Sequence, residues 1–381
     1  MTVSVWQDRS GRRHITCDVA VVGAGVVGAY LALALSRQGV DVVVLEARFA
    51  AAGATGRNAG MVLSGLGEYY HTAIKRHGRA LARSAWERTL SNGRRTRALH
   101  DELGLPYEAC GSLLLAVDDA EAAELRTAYD AMTEDGLPAV YHPADLLRRG
   151  FAAALEQTQD VGIDPARFTE AMLAASGATL LENCEVYALE AAEGGVQLRS
   201  RLATVRAGHA LLATNGYSAL LHPSFQGTVL PTRAQMLLTA ASSRILHTLA
   251  YANYGYEYFR QLADGRVLMG GWRSLYKDLE IGYTDETTEQ VQRGLEGFLW
   301  ERFPEVSRQV ELCWSGVMGF SPDGMPLVGT LRDLPCVGYA VGFTGHGLGL
   351  GLEAAEDLMA TLLRGEPEGI FSAGRLGRAS G

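Results

Sequence analysis

Five cysteines (Cys17, Cys110, Cys184, Cys313 and Cys336) are scattered along 381 residues, and no two form a Cys-x-x-Cys pair. That spacing points to neither a zinc site nor a dithiol redox couple. No block of lysines and arginines occurs and the formal net charge is -9, which argues against a nucleic-acid partner. No uninterrupted apolar run reaches membrane-spanning length. The apolar stretch from Val19 to Leu35 is punctuated by glycines and suits a buried strand and helix. The polar opening, Trp6 to Arg13, lacks the apolar core of a secretory leader, so a reducing cytoplasm is the expected compartment. Repeats, low-complexity tracts and any clear Ser/His/Asp or metal-ligating constellation are also missing. A chain with 48% hydrophobic and 20% charged residues reads as an ordinary globular enzyme, of two domains or one large sheet with an insertion.

Near the start a glycine-rich turn lies between a strand and a helix. Cys17 to Val22 reads as a buried strand, Gly23-Ala24-Gly25-Val26-Val27-Gly28 as the turn, and Ala29 to Gln38 as an apolar helix closed by Gly39. Val40 to Leu45 is a second strand, ending in Glu46, 18 residues beyond Gly28. Gly23 permits the tight turn, Gly25 admits a pyrophosphate to the backbone, and Gly28 lets helix and sheet pack closely. The helix start offers unpaired N–H groups to phosphate, and Glu46 stands where a carboxylate accepts from an adenosine ribose. The pattern predicts a dinucleotide site, for NAD or FAD.

Further along, Ala50 to Gly60 is small and glycine-rich and runs directly into apolar Met61-Val62-Leu63. Such a stretch lets backbone lie flat against a ligand. Lys75 to Leu103 reads as helices, Gly111 to Val117 as a strand, and Asp118 to Asp135 as an amphipathic helix. Pro165 opens a helix that Gly177 closes. A hairpin through Glu193-Gly194-Gly195 precedes a strand ending in Ala213-Thr214-Asn215-Gly216. From Pro231 to Trp272 the texture is aromatic strand. Tyr254, Tyr256 and Tyr258 alternate, which predicts one shared face, and Asp264-Gly265 is a hairpin turn. Near the end a strand, Val337 to Gly342, meets the turn Phe343 to Gly349 and a long apolar helix running to Leu363. Nucleotide-fold segments thus occur at start, middle and end. NAD-dependent dehydrogenases normally keep theirs contiguous.

These parts together resemble the glycine oxidase/D-amino acid oxidase superfamily of FAD enzymes, over Asp18 to about Gly365. The resemblance rests on Gly23/Gly25/Gly28 with Glu46, Thr55-Gly56-Arg57-Asn58-Ala59-Gly60, Ala213-Thr214-Asn215-Gly216, Ser321 to Gly329, and Gly342-Phe343-Thr344-Gly345-His346-Gly347. The Gly-Arg-Asn-Ala-Gly segment is most similar to the γ-glutamylputrescine oxidase branch. The implied architecture is α/β: a Rossmann-like FAD-binding domain of the glutathione-reductase type (15–80, 150–222, 316–372) and an α+β substrate domain with a mixed or antiparallel sheet (81–149, 223–315). Residues 1–14 would be an N-terminal tail.

The resemblance implies non-covalent FAD held by Gly23, Gly25, Val26, Val27, Gly28, Glu46, Ala47, Thr55 to Met61, Val186, Ala213, Thr214, Asn215, Gly342, Thr344, Gly345, His346, Gly347 and Leu348. His346, Tyr256 and Tyr258 are the catalytic candidates. Within Thr55 to Met61, Arg57 and Asn58 are favoured as FAD contacts. Arg233 and Arg260 read as solvated strand-end arginines, with a hold on an acidic substrate group as the alternative, and Glu68, Tyr69, Tyr70 and His71 as entrance residues. Family amino-acid oxidases carry a carboxylate-clamping arginine where this chain has Met318, and sarcosine oxidase a second anchor where it has Gly349. The oxygen-activating lysine falls near Leu268 and the flavin-attachment cysteine near Gly316. The implied reaction is therefore oxidation of an amine, primary, secondary or polyamine-derived. Hydride passes to flavin N5, the imine hydrolyses in water, and the flavin is reoxidised by O2 or another acceptor. Alternatives are a D-amino acid or glycine oxidase, an NAD-dependent dehydrogenase, and a non-catalytic FAD-binding subunit of a heteromeric amine oxidase. No nucleic acid and no membrane span are expected, and a homo-oligomer is compatible with the sequence.

Overall fold

The computed structural model describes residues 13–378. The expected tail lies outside the described residues through residue 12, while Arg13 and His14 already pair with Ala203 and Thr204 in the first strand. The chain runs β1 (Arg13–Val22), α1 (Val26–Ser36), β2 (Val42–Leu45), β3 (Met61–Val62), α2 (Tyr70–His77) and α3 (Arg79–Leu103). Then come β4 (Ser112–Ala116), α4 (Asp119–Glu134), β5 (Val140–His142), β6 (Ala153–Gln157), β7 (Val161–Gly162) and α5 (Pro165–Ser176). They are followed by β8 (Thr179–Leu181), β9 (Val186–Ala192), β10 (Gly195–Ser200), β11 (Ala203–Leu212) and α6 (Ser218–Leu221). Next are β12 (Leu230–Thr239), β13 (Leu249–Ala252), β14 (Glu257–Gln261), β15 (Val267–Gly271) and α7 (Glu289–Arg302). The chain closes with β16 (Val310–Phe320), β17 (Leu327–Thr330), β18 (Val337–Val341), α8 (Gly347–Arg364) and α9 (Arg375–Arg378).

One sheet has the order β17-β18-β11-β1-β2-β8, with β10 and β9 branching from β11. Its centre is parallel: β1 lies between β2 and β11, and β11 beside β18. Successive residues of β1 and β2 enter different cores. Val19, Val21, Val42 and Val44 join one, and Ala20, Val22, Val43 and Leu45 the other. Both faces are covered, which is why these strands are uninterrupted apolar runs. Helix α1 has no charged residue, is buried almost throughout, and packs against α5 and α8. Leu31 and Leu33 within it are fully buried, each contributing about 1.5–3 kcal/mol. α5 starts and stops where expected. Asp164 accepts from the N–H groups of Ala166 and Arg167 at 3.1 Å, Pro165 takes the first turn, and Gly177 caps the end at φ 65°.

The second sheet has the order β16-β12-β15-β14-β13-β4-β6-β5 and is mixed, antiparallel except at β13/β4. α7 covers it through Val291, Leu295, Phe298 and Leu299. The sequence places β6 with the nucleotide-binding part; Ala153 to Gln157 instead pair with β4 and β5, Ala153 and Leu155 joining the core that α4 shares and Ala154 the core under α7. β16 likewise carries the second sheet past residue 316, through Phe320. A small pair, β3 with β7, and a core of Ala59, Met61, Leu63, Met236 and Leu249 join the glycine-rich loop to this sheet.

Candidate functional site

The turn after β1 is built from its three glycines, each for a different reason. Gly23 has φ +105° and donates to Leu45 O at 2.8 Å, and a Cβ there would lie 2.7 Å from Ala213 O. A Cβ on Gly28 would lie 1.9 Å from Gly23 O, so helix and turn could not seat together. A Cβ on Gly25 would stand 3.0 Å from the Thr55 hydroxyl, which accepts from Val26 N at 3.1 Å. Thr55 takes only the first N–H of α1, Gly25 has no side chain to cap the others and no acid sits in the first turn, so the positive end of the helix still faces the cavity where phosphate would lie. Glu46 lines the same space, its carboxylate accepting from Ala24 N at 2.8 Å and Arg48 N at 2.9 Å.

From this turn a cavity of about 780 Å³ extends to the inner face of the second sheet. It is long, mostly apolar, and of a size for an extended dinucleotide plus a small substrate. Asn58 braces the glycine-rich loop, accepting from Gly60 N at 2.7 Å and donating to Ala54 O and Thr55 O. Asn215, at φ 41°, takes Gly342 N at 3.0 Å and so ties the β11 turn to the final turn. That final turn needs φ 50° at Thr344 and 84° at Gly345, and it delivers His346 to the start of α8, where no acid opposes an anion. The His346 Nδ1 faces Thr344 O at 3.3 Å. Burial holds this imidazole below its usual range, hence neutral at pH 7.

The far wall is aromatic. Tyr251 and Tyr258 face each other across β13 and β14 with ring centroids 5.6 Å apart, and Tyr251 lies 6.4 Å from the His346 ring. Gly270, opposite Tyr258, makes the space, since a Cβ there would meet that ring at 2.4 Å. Burial pushes the Tyr258 phenol up to about 12, with the charge of Arg273 opposing the rise. Further out, the Tyr69 and Tyr254 rings lie with centroids 5.4 Å apart and tilted by 32°. Both hang on Glu121, whose Oε1 accepts the Tyr69 hydroxyl and Tyr254 N at 2.5 Å each.

Most of the sequence-predicted residues reach the cavity: Gly23, Gly25, Val26, Val27, Glu46, Ala47, Thr55, Asn58, Ala59, Met61, Val186, Ala213, Thr214, Asn215, Tyr256, Tyr258, Thr344, Gly345, His346, Gly347 and Leu348. Five do not. Gly28, Gly56, Gly60 and Gly342 stand behind the wall, where the first three admit neighbouring backbone that a Cβ would strike, and Gly342 holds φ 73°. Arg57, favoured as a cofactor contact, is instead drawn off by Asp285 Oδ1 at 2.5 Å, Ser315 O at 2.7 Å and Ala52 O at 2.9 Å. The one-face reading of the three tyrosines also needs correction. Asn253, Tyr254 and Gly255 have φ 51°, 56° and 81° and form the β13–β14 turn, leaving Tyr254 47% exposed. Arg233 and Arg260 are buried rather than solvated, the first on Glu280 and the second on loop carbonyls and Glu108. Of the expected entrance residues, Glu68, Tyr69 and Tyr70 line the cavity, while His71 pairs with Glu124 at 2.6 Å. Sequence reasoning missed Tyr251, whose signal was its place in the apolar strand Leu249–Ala252, and Arg273, which carried none.

The residues present fit a flavin dinucleotide: two helix starts whose N-cap residues make no side-chain cap and whose first turns hold no acid, a close-approach glycine and a carboxylate at the strand end. Comparison with known proteins agrees. The FAD dependent oxidoreductase family (DAO) matches residues 18–361. The γ-glutamylputrescine oxidoreductase of Escherichia coli K12 is 27% identical over 93% of this chain and 85% of its own length. The glycine oxidase of Pseudomonas aeruginosa is 28% identical over 94% of this chain and 99% of its own. Among solved structures, glycine oxidase from Geobacillus kaustophilus superposes with TM-score 0.79 at 21% identity, covering 94% of this chain and 98% of that one. L-proline dehydrogenase from P. horikoshii also gives 0.79 at 21% identity, over 96% and 99%. The fold is that of these flavoenzymes, the NAD reading falls, and the chain belongs to the FAD-dependent oxidoreductases of the DAO family.

Proposed function

We propose that this enzyme oxidises the C–N bond of a small-molecule amine, primary or secondary, to an imine that water then hydrolyses. When bound, FAD supplies the acceptor for the hydride leaving the α-carbon, and O2 or another acceptor reoxidises it. The observation that carries the reading is the wall of Tyr251, Tyr256 and Tyr258 facing the His346 turn across a cavity where Met318, not arginine, stands on β16. A wall of phenol rings, Tyr251 and Tyr258 set edge to face, orients an amine and excludes water, and the apolar thioether offers no hold to an α-carboxylate. Neutral His346 and the high-pKa Tyr258 leave the amine's proton to solvent, so the substrate must enter deprotonated. The start of α8 would face charge that builds up on the ring.

Non-covalent attachment is supported by the cavity lining, which contains no cysteine, and by the exposure of Cys313. We further assign cofactor binding to the first sheet and its helices and substrate binding to the second. Five free cysteines suit a reducing cytoplasm, and no described helix is long and apolar enough to cross a membrane. The test is anaerobic mixing of the yellow holoenzyme with primary, secondary and N-acylated polyamines. Bleaching that accelerates as pH rises through the amine's titration supports the reading, and admitting air then tells oxidase from dehydrogenase. A flavin that bleaches with no amine at any pH rejects it.

A further inference from the structure

One guanidinium on the cavity wall is not neutralised by the chain itself. Trp272, at φ 62°, turns the backbone out of the end of β15, and Arg273 follows it into the cavity. Its Cζ lies 5.1 Å from the centre of the Tyr256 ring and 4.8 Å from that of Phe320. Two aromatic faces fix the planar group and leave its N–H edge available. Three other charges that line the cavity are in ion pairs. Glu124 pairs with His71 at 2.6 Å, Glu68 with Arg76 at 3.2 Å, and Arg48 with Asp285 at 3.6 Å. Buried Arg233 and Arg260 have Glu280 and Glu108. Among the described residues, Arg273 has no carboxylate and no hydrogen-bond acceptor in reach. Lys277 adds a second cation, its Nζ 4.9 Å from the Tyr256 ring.

A half-buried guanidinium held in place without a counter-ion is a preorganised anion receptor, and its planar fork suits a carboxylate. Resting on the amine reading above, we propose that Arg273 is the specificity residue for a carboxylate on the amine substrate. A carbon chain separates that carboxylate from the reacting carbon. The separation follows from Met318: beside the Gly345–His346 turn β16 offers only that thioether, whereas the cation stands two residues further along β16, over Phe320, and against Tyr256. The substrate class is then an ω-aminocarboxylate, whose chain lies along the tyrosine wall and whose acid end reaches Arg273.

The experiment uses holoenzyme and matched pairs, δ-aminovalerate and ε-aminocaproate against their primary amides, with flavin bleaching read anaerobically. The wild type is expected to half-saturate at a concentration about tenfold or more lower for each acid than for its amide. In Arg273→Gln that ratio falls toward unity, and Arg273→Lys restores part of it. A wild-type ratio near one, an unchanged ratio in Arg273→Gln, or α-amino acids favoured over the ω-acids would overturn the proposal. Valerate, which cannot be oxidised at nitrogen, gives a readout without turnover. It should perturb the visible flavin spectrum of the wild type and not of Arg273→Gln, and no perturbation in the wild type counts against the subsite. If valerate binds through Arg273 while no amine bleaches the flavin, the oxidation reading fails and the subsite stands. If the amides bleach it and valerate does not bind, the reverse holds.

Discussion

Arg260 Nη1 donates to Gly60 O at 2.7 Å, and the same nitrogen reaches Ala59 O and Ile163 O at 3.2 and 3.1 Å. One buried guanidinium on the second sheet thus pins the glycine-rich loop that lines the cofactor cavity. Arg260→Met removes this donor from the three carbonyls and from Glu108, at a cost of about 2–4 kcal/mol. Denaturant titration should show that loss, and gel filtration should release FAD from the variant faster than from the wild type.

The glycines divide into those that admit a neighbour and those that merely loosen a helix. Gly28→Ala puts a methyl on Gly23 O and should yield protein with little or no bound flavin, read from its absorbance ratio. Gly93 lies within α3 with nothing near its absent Cβ, so Gly93→Ala should raise stability by up to about 1 kcal/mol with flavin content unchanged.

Glu46 accepts from two backbone N–H groups at the head of the nucleotide turn. Glu46→Ala removes both acceptors and a carboxylate, and should weaken FAD binding roughly tenfold or more. Fluorescence titration of the apoprotein with FAD checks this.

Glu257 in β14 is 1% exposed, and neither carboxyl oxygen has a hydrogen-bond partner among the described residues. Burial raises its pKa from 4.5 to about 7. A carboxyl raised in the folded state binds its proton more tightly folded than unfolded. Its stability contribution is therefore complete below pH 4.5 and is lost as pH climbs through about 7. Glu257→Gln should flatten that part of the stability–pH curve and leave the variant more stable than wild type at pH 8, by on the order of 2 kcal/mol. A wild-type curve that is level across this window, or unaltered in the variant, contradicts the assignment.

Local rules made the nucleotide half legible. Gly23 and Gly177 are dictated by their own φ, Gly28 by the carbonyl of Gly23, and Asp164-Pro165 by helix-start chemistry, all within a few residues in sequence. The second half depends on pairings that span the chain. Arg57 reads as a loop cation until Asp285 and Ser315 are brought to it, and Arg260 as a strand end until loop 59–60 folds over it. Tyr254 joined an alternating series on paper, yet three successive positive φ angles make it a turn, which side-chain periodicity does not encode. Arg273 was invisible because its importance lies in the partner it lacks.

Suspending Tyr69 and Tyr254 from the single carboxylate of Glu121 couples the two jambs of the doorway. Glu121 is itself fully buried and its other oxygen accepts from Val117 N at 2.8 Å, so removal of this one carboxylate unties the Tyr69 hydroxyl and the 253–255 turn together.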